Sequence, residues 1–452
     1  MSESMPANLV AQTWERPLQK PDSIPASADV VIIGGGIVGV STAWFLAKQG
    51  VDVVLCEKGH IAGEQSGRNW GWVRQQLRDS REMPMIVESL RIWRGLEDEI
   101  GDDVGFHEQG VMVAAHSDKE AAHFSEWIRI SEEHGVETRL LEGSEIEKLI
   151  PGAATRWKGV LHTPSDGRAE PHKAVPALAR AAERAGATIL KSCAVRGIET
   201  AAGDVSAVVT EHGSIRTSTV CCAAGAWTSL FCRSIGVTVP QLKVRGTVAR
   251  TAPCESVLDG NFYNKKVALR RREDGGYTVA HGTILDHPIT PSTFRFGFKY
   301  IPALLMELEN LRLTIGREFV EEWSTPKTWA LDAESPFERT RVLNPEPNKT
   351  VLKGIRKNLG KVFPQLEGTE LVEAWAGMIE TTPDVIPVID QAKSLPGFYI
   401  ATGFSGHGFG IGPGAGKAVA GMLTGTDSGI PLDEFRLSRF FDGTKLELQS
   451  SV

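Results

Sequence analysis

The residues most able to do chemistry in this chain are three glycines and one acid near its start. Gly34, Gly36 and Gly39 follow a run of apolar strand formers and open a helical stretch, matching the pattern G-x-G-x-x-G. The first glycine permits a tight turn, the second admits a pyrophosphate and the third lets the helix pack on the strand. Glu57 ends the next apolar run, where it can accept a ribose hydroxyl. The spacing predicts a dinucleotide site.

A second glycine-rich segment lies over residues 398–413. An apolar strand there reaches Gly403, and a helix of small residues is predicted from Gly414 to Leu423. Dense glycines let backbone N–H groups approach a planar ligand, and a helix N-terminus adds positive potential. A reduced flavin, which is negative near N1 and O2, would be stabilised by that potential. A strand-to-helix corner without a ligand is the alternative for this segment alone.

The composition indicates a large enzyme with small-molecule partners. The chain has 452 residues, more than one core usually spans, so two domains are expected. Its net charge of −7 does not favour a nucleic-acid partner, which would need a basic surface. Its start lacks the apolar core, about 7 to 15 residues long, of a signal peptide, and no run reaches the roughly 20 apolar residues that span a bilayer. We expect a cytoplasmic location, with peripheral membrane contact and oligomeric state left open.

Hydrophobic periodicity predicts the main elements. The first helix runs from Ile37 to Gln49, and short strands over 194–199, 205–210 and 213–217 form a meander. Two apolar stripes at helical spacing follow, formed by Leu304, Leu308, Leu311 and Ile315 and by Leu352, Ile355, Leu359 and Val362. Alternating Phe294, Phe296 and Phe298 predict a half-buried strand, or else an apolar edge facing a membrane or partner. The six cysteines lack metal-ligand spacing and are predicted to be reduced core side chains.

Five motifs in this order resemble the D-amino-acid oxidase superfamily of FAD enzymes. They are the segments 34–57, 64–71, 222–227, 375–378 with 382–384, and 403–413. The branch that they resemble contains glycine oxidase, monomeric sarcosine oxidase and D-amino-acid dehydrogenase. The resemblance covers nearly the whole chain, from about residue 28 to residue 423.

The resemblance implies an α/β fold, α+β overall. It combines a Rossmann-like FAD-binding domain of discontinuous segments with a substrate domain built on a large mixed or antiparallel sheet with flanking helices. We expect the FAD-binding domain at 28–82, 150–235 and 370–430, the substrate domain at 83–149 and 236–369, and terminal extensions at 1–27 and 431–452.

The family motifs also imply the residues that bind FAD. The glycine loop would hold the pyrophosphate, Glu57 the ribose, Val195 the adenine through its backbone, and the segment around His407 the pyrimidine edge of the flavin. His407 is expected to contribute backbone rather than to transfer protons. The implied cofactor residues are Gly34, Gly36, Ile37, Gly39, Glu57, Lys58, Gln65, Ser66, Gly71, Trp72, Val195, Ala224, Gly225, Trp227, Gly403, Gly406, His407, Gly408 and Phe409.

Departures from the family pattern concern the attachment of the flavin. Gly377 stands where sarcosine-oxidase-like relatives have the cysteine that carries covalent flavin. Arg68 and Asn69 stand in the loop where other relatives have an attaching histidine. We therefore expect FAD to be bound non-covalently.

Two positions where relatives hold the substrate carboxylate are also altered, to Ile379 and Gly410. Arg74, which keeps its spacing behind Gly71 in the flavin loop, is therefore the first candidate for this role. A planar guanidinium suits two-pronged pairing with a carboxylate. Three further candidate site residues are Trp72 as a pocket wall and, from the β-rich middle of the chain, Arg270 and His281.

Arg78 is a less favoured candidate. The charged residues Asp79, Arg81 and Glu82 follow it closely, which predicts a solvated charge at the start of a helix. Trp70 is a second candidate for the pocket wall, and Trp375 fits either the pocket or the core.

The resemblance and the candidate residues together predict FAD-dependent oxidation of the C–N bond of a small amino acid, or of an N-carboxymethyl or N-methyl amino acid. Hydride would pass from the α carbon to flavin N5, and the imine would hydrolyse in water. Oxygen is the predicted acceptor, with His281 as a source of positive charge. The alternatives are a D-amino-acid dehydrogenase that reduces a quinone and a non-catalytic, flavin-bearing assembly factor.

Overall fold

The structure, a computed structural model, describes residues 21–307 and 310–449. Its strands are β1 Val30–Ile33, β2 Val53–Cys56, β3 Trp72–Val73, β4 His107–Glu108, β5 Val111–Ala115, β6 Arg139–Leu141, β7 Gly159–Thr163, β8 Gly167–Arg168, β9 Thr188–Leu190, β10 Val195–Ala201, β11 Asp204–Thr210, β12 Gly213–Arg216, β13 Val220–Cys222, β14 Leu242–Thr251, β15 Asn261–Tyr263, β16 Ala268–Arg271, β17 Tyr277–Ala280, β18 Leu285–Pro288, β19 Leu311–Thr314, β20 Leu371–Thr381, β21 Val388–Gln391 and β22 Phe398–Thr402. Its α-helices are α1 Ile37–Lys48, α2 Gln65–Arg68, α3 Met83–Ile100, α4 Asp118–Glu133, α5 Ser144–Leu149, α6 Pro171–Arg184, α7 Thr228–Ser234, α8 Pro291–Phe296, α9 Ile301–Glu307, α10 Arg317–Ser324, α11 Pro336–Arg339, α12 Lys349–Val362 and α13 Gly408–Thr424.

Six short strands form a mostly parallel sheet in the order β21-β22-β13-β1-β2-β9. β1 runs parallel to β2 and β13, whereas β21 is antiparallel to β22. β1 and β2 are apolar and buried along their whole length, as expected for a sheet that is covered on both faces. Because the two strands are parallel, the glycine loop after β1 and Glu57 after β2 lie at the same edge of the sheet.

Glycines allow α1 to pack closely against its neighbours. A Cβ at Gly39 would lie 2.1 Å from the carbonyl oxygen of Gly34, at the end of β1. A Cβ at Gly412 in α13 would lie 2.8 Å from the side chain of Ile37. The first turns of α1 and α13 therefore lie side by side at the edge where the glycine loop opens.

A ten-stranded mixed sheet forms the second large layer, and it branches at β14. β14 pairs along its length with β20, and it also pairs with β17 and β18. Helix α12 covers this sheet with its predicted apolar stripe, and all four stripe residues are buried. β7 and β20 also belong to this sheet, although the predicted boundaries assign both strands to the FAD-binding domain. The domain limits themselves stay a prediction.

The first helix and the meander are confirmed. The predicted helix at 37–49 is α1, and the predicted meander is the three-stranded sheet β10-β11-β12. The stripe from Leu304 to Ile315 is wrong, because α9 ends at Glu307 and Leu311 begins β19, which pairs in parallel with β18. Leu308 lies outside the described residues.

The strand predicted from the alternating phenylalanines is also wrong. This segment is helix α8, followed by a 3₁₀ turn over 297–300. Thr290 and Thr293 form a capping box and Pro291 occupies the first turn, and both features favour the start of a helix over a strand. Phe296 is buried, whereas Phe294 and Phe298 are 74% and 65% exposed.

Candidate active site

One cavity is lined by residues of both large sheets, and the glycine loop, β3, β14, β20 and the start of α13 all contribute to its wall. Most of the predicted cofactor residues line it together. They are Gly34, Gly36, Ile37, Glu57, Lys58, Gln65, Ser66, Trp72, Val195, Ala224, Gly225, Trp227, Gly406, His407, Gly408 and Phe409.

The glycine loop presents the N-terminus of α1 to this cavity. Gly34 has a φ of 111°, and a Cβ there would lie 2.5 Å from the carbonyl oxygen of Ala223. Ser66 accepts a hydrogen bond of 2.9 Å from the backbone N–H of Ile37, and no N-cap side chain covers the helix end. The other N–H groups of the first turn of α1 and the positive end of the helix dipole suit a pyrophosphate.

Glu57 is held at the edge of the sheet by two short backbone hydrogen bonds. Gly35 donates its N–H to Oε2 at 2.7 Å, and Gly59 donates to Oε1 at 2.6 Å. Burial raises the pKa of this carboxyl. Lys58 beside it donates to Glu64 Oε1 at 2.7 Å and lies over the ring of Trp227. This end of the cavity can therefore offer acceptors to a ribose, while the Lys58 ammonium is already paired.

Three predicted cofactor glycines shape the backbone instead of lining the cavity. Gly39 brings α1 close to β1, as described above. Gly71 has a φ of 79° and Gly403 one of 75°. A Cβ at Gly71 would lie 2.5 Å from the Ala169 carbonyl oxygen, and one at Gly403 would lie 2.3 Å from the side chain of Thr382. These glycines are needed for tight chain crossings behind the cavity wall.

Arg270 was predicted as a site residue, but the structure places it behind the wall. Its side chain is 1% exposed and does not line the cavity. Nη1 and Nη2 donate to the two carboxylate oxygens of Glu170 at 2.8 and 3.1 Å, and Nη2 also donates to Thr278. This buried ion pair fixes strand β16, so Arg270 is committed to structure rather than to a substrate.

His281 lines the cavity, and its surroundings disfavour the positive charge that was expected. Its Nδ1 faces the backbone N–H groups of Thr283 and Ile284, each at 3.3 Å. Burial lowers the pKa of the imidazole, and the nearby Arg312 lowers it further. An imidazole that accepts at Nδ1 is neutral, with its proton on Nε2.

Arg74 lines the cavity on a loop that is fixed from behind. β3 pairs with β8, and the carboxylate of Asp166 accepts the backbone N–H groups of Gln75 and Gln76 at 2.7 and 3.1 Å. The guanidinium of Arg74 lies 5.6 Å from the ring centre of Trp72. Burial lowers the pKa of Arg74 and raises that of Asp166 to about 6. Within the described part of the chain, the Arg74 side chain has no hydrogen bond or ion pair.

Arg78 lies on the same wall and is 7% exposed, so the expectation of a solvated charge is wrong. The charged residues that follow it are paired elsewhere. Asp79 holds Arg81 through bonds of 2.7 and 2.6 Å. Glu82 Oε2 lies 3.0 Å from Nδ1 of His407, and both side chains are buried. Because these neighbours have other partners, the charged residues around Arg78 in the sequence do not reveal that it is buried.

Sequence reasoning missed Glu380 and the segment at Arg341 and Val342, which all line the cavity. Glu380 lies on β20 opposite Lys243 of β14. Its Oε2 is buried without a hydrogen-bond partner, and burial raises the pKa of the carboxyl to about 7. Spacing alone does not reveal Glu380, because β20 reaches the cavity through its long-range pairing with β14.

The residues that line the cavity fit a dinucleotide with a planar ring at its far end. The N-termini of α1 and α13 both open on it, and Trp70 and Trp72 form an aromatic wall with ring centres 5.3 Å apart. Trp375 donates its indole N–H to the Arg68 carbonyl and packs behind this wall. Residues 21–307 and 310–449 contain no cluster of acidic, His or Cys side chains able to hold a metal ion. No helix in the same ranges is long and apolar enough to cross a membrane.

Comparison with known proteins agrees with this geometry. The solved structure of L-amino acid deaminase from Proteus myxofaciens, in complex with anthranilate, superposes with a TM-score of 0.90 at 34% identity, covering 94% of this chain and 97% of that one. The sarcosine oxidase subunit beta of Arthrobacter sp is 23% identical over 95% of this chain and 94% of its own length. The mitochondrial sarcosine dehydrogenase of Mus musculus is 28% identical over 92% of this chain, which spans only 41% of that relative. The model of the FAD dependent oxidoreductase family (DAO) matches residues 29–422, and the chain therefore belongs to that family of FAD enzymes.

Proposed function

We propose that this enzyme oxidises the C–N bond of an α-amino acid or of an N-substituted amino acid, and that Arg74 binds the substrate carboxylate. The observation that carries the proposal is the guanidinium of Arg74. It faces the cavity beside the aromatic wall and has no acidic partner among the described residues. A partly buried guanidinium that opens on a cavity is poorly solvated, and a substrate carboxylate would supply the opposite charge.

The chain's own residues would position the substrate. Asp166 holds the backbone beside Arg74, so that the guanidinium approaches the cavity from a fixed direction. Trp70 and Trp72 exclude water from one side, which favours the neutral amine. The bound FAD supplies the hydride acceptor for oxidation of the amine. No described side chain is required as a base, because orientation and electrostatics are the protein's contribution.

The relatives support an amino-acid substrate but differ in its form. Their names include L-amino acid deaminase and sarcosine oxidase subunit beta. The altered carboxylate positions at Ile379 and Gly410, with Arg74 retained, favour N-methyl or N-carboxymethyl amino acids over primary amino acids.

The experiment is anaerobic mixing of the purified enzyme with primary amino acids of both configurations and with N-methyl and N-carboxymethyl amino acids. Bleaching of the flavin absorbance by at least one of them is expected. A flavin that stays oxidised across the whole panel, although dithionite reduces it, would contradict the proposal.

A dehydrogenase is the second candidate, and the neutral His281 favours it. Oxygen is the predicted acceptor, and His281 is the candidate source of positive charge near it. That charge is absent if the His281 proton is only on Nε2. Stopped-flow reoxidation separates the candidates. An oxidase is reoxidised rapidly by dissolved oxygen, whereas a dehydrogenase reacts slowly with oxygen and rapidly with a quinone.

A further inference from the structure

We propose that Arg78 is a second anion-binding residue of the same cavity, and that the preferred substrates carry a second acidic group. This group would be the distal carboxylate of a dicarboxylic amino acid or an N-carboxymethyl substituent. The inference rests on the proposed function, because it names the substrate class of that site.

The first observation is the environment of the Arg78 side chain. It is 93% buried, lines the cavity, and has its Nη1 atom enclosed without a hydrogen-bond partner. In the described ranges, the side chain makes neither a hydrogen bond nor an ion pair. Buried arginines are ordinarily paired, as Arg270 is with Glu170 in this molecule.

The second observation is that the neighbouring acids are committed elsewhere. Asp166 accepts backbone N–H groups, and Glu82 faces His407. Asp79 is held by Arg81. The charges of Glu82 and Asp166 favour the charged form of Arg78, but neither carboxylate bonds to it. A ligand can therefore supply the direct anionic partner that Arg78 lacks.

The third observation is that two arginines lie close together in the cavity wall. Arg74 and Arg78 lie on one wall, and burial together with the charge of Arg74 holds the pKa of Arg78 well below its usual range. Two guanidinium groups present ten N–H donors, whereas one carboxylate offers about four acceptor sites. A substrate with a single carboxylate can therefore pair fully with one guanidinium, and the other guanidinium keeps most of its N–H donors without an acceptor.

The test compares substrates that differ only in the second acid: glutamate with glutamine, aspartate with asparagine, and iminodiacetate with sarcosine. We expect kcat/KM for anaerobic flavin reduction to be at least tenfold higher for the acidic member of a reactive pair. Arg78→Gln should bring this ratio close to one. Arg74→Lys is the matched control, because it should lower both members of a pair by similar factors.

Equal kcat/KM within each wild-type pair would overturn the inference. So would an Arg78→Gln variant that slows both members equally and binds sulfite more weakly, because Arg78 would then stabilise the reduced flavin.

If Arg78→Gln does not retain FAD, the wild-type holoenzyme is titrated with glutarate and with butyrate while the flavin absorbance is followed. Glutarate is expected to bind with the lower dissociation constant. If no amino acid reduces the flavin, the proposed function fails; if amino acids reduce it regardless of the second acid, only this inference fails.

Discussion

Glu57 accepts a backbone N–H of the glycine loop at one carboxylate oxygen and that of Gly59 at the other. Glu57→Gln removes one acceptor and places an N–H₂ group against a backbone N–H, so we expect FAD affinity to fall by on the order of 1 to 3 kcal/mol. Titration of the apoprotein with FAD measures the dissociation constant. The exposed Glu199 provides the matched Glu→Gln control, and equal dissociation constants for the two variants would refute the role of Glu57.

Glu380 predicts a pH dependence of stability. The folded protein keeps the Glu380 proton up to a pKa of about 7, whereas the unfolded chain loses it near the ordinary glutamate value. The unfolded state therefore binds fewer protons between about pH 4.5 and pH 7, and stability should fall as pH rises through that window, by on the order of 3 kcal/mol from this group. Glu380→Gln cannot ionise and should lose this contribution.

The measurement is the unfolding temperature of wild type and Glu380→Gln from pH 5 to pH 8. The variant should gain stability relative to wild type as pH rises. A difference that stays constant across this range would show that Glu380 is already ionised in the folded protein.

At this scale the sequence predicted residues whose role follows from local geometry and missed those that depend on distant partners. The glycine loop and Glu57 are set by a strand, a turn and a helix that are adjacent in the chain. Arg270 resembled a ligand because Glu170, its partner, is 100 residues away. The burial of Arg78 leaves no local signal, whereas Glu380 was passed over although the adjacent Ile379 stands at a carboxylate position of the family.

At the scale of elements, the contact between α1 and β1 depends on Gly39. Alanine is ordinarily about 0.5 to 1 kcal/mol better than glycine inside a helix. A Cβ at this position would nevertheless lie 2.1 Å from a backbone oxygen, so Gly39→Ala should lower both the unfolding temperature and the FAD content. Gly95 in α3 meets nothing within 4 Å and provides the matched control, which should be stabilised. If Gly39→Ala raised the unfolding temperature, α1 could shift away from β1 without lowering stability.

Elements were predictable where periodicity and caps agreed. α1, predicted at 37–49 from the glycine loop that opens it, spans Ile37–Lys48, and the stripe from Leu352 to Val362 lies on α12. The segment 291–314 was not, because alternating phenylalanines were given more weight than Thr290 and Pro291, which favour a helix start. The pairing of β20 with β14 joins strands more than 100 residues apart, and no local pattern specifies it.

At the scale of the whole molecule, the residues at the family's attachment positions predict that FAD is held without a covalent bond. Gly377 lines the cavity, packs against the side chain of Arg68 and has no nucleophilic atom. Arg68 itself donates to Asn344 and to the Ala376 carbonyl. We predict that acid precipitation releases FAD into a yellow supernatant. Flavin absorbance that remains in the washed pellet would establish a covalent bond elsewhere.

The pairing of Arg74 with a substrate carboxylate is tested most directly by anaerobic flavin reduction with a reactive amino acid and with its methyl ester. The free acid should reduce wild type with at least tenfold higher kcat/KM than the ester. Arg74→Lys should weaken binding of the free acid by roughly 2 to 5 kcal/mol, because an ammonium lacks the planar fork, while FAD content stays near that of wild type. An ester that reacts as well as the acid, or an Arg74→Lys variant with unchanged kcat/KM, would contradict this account.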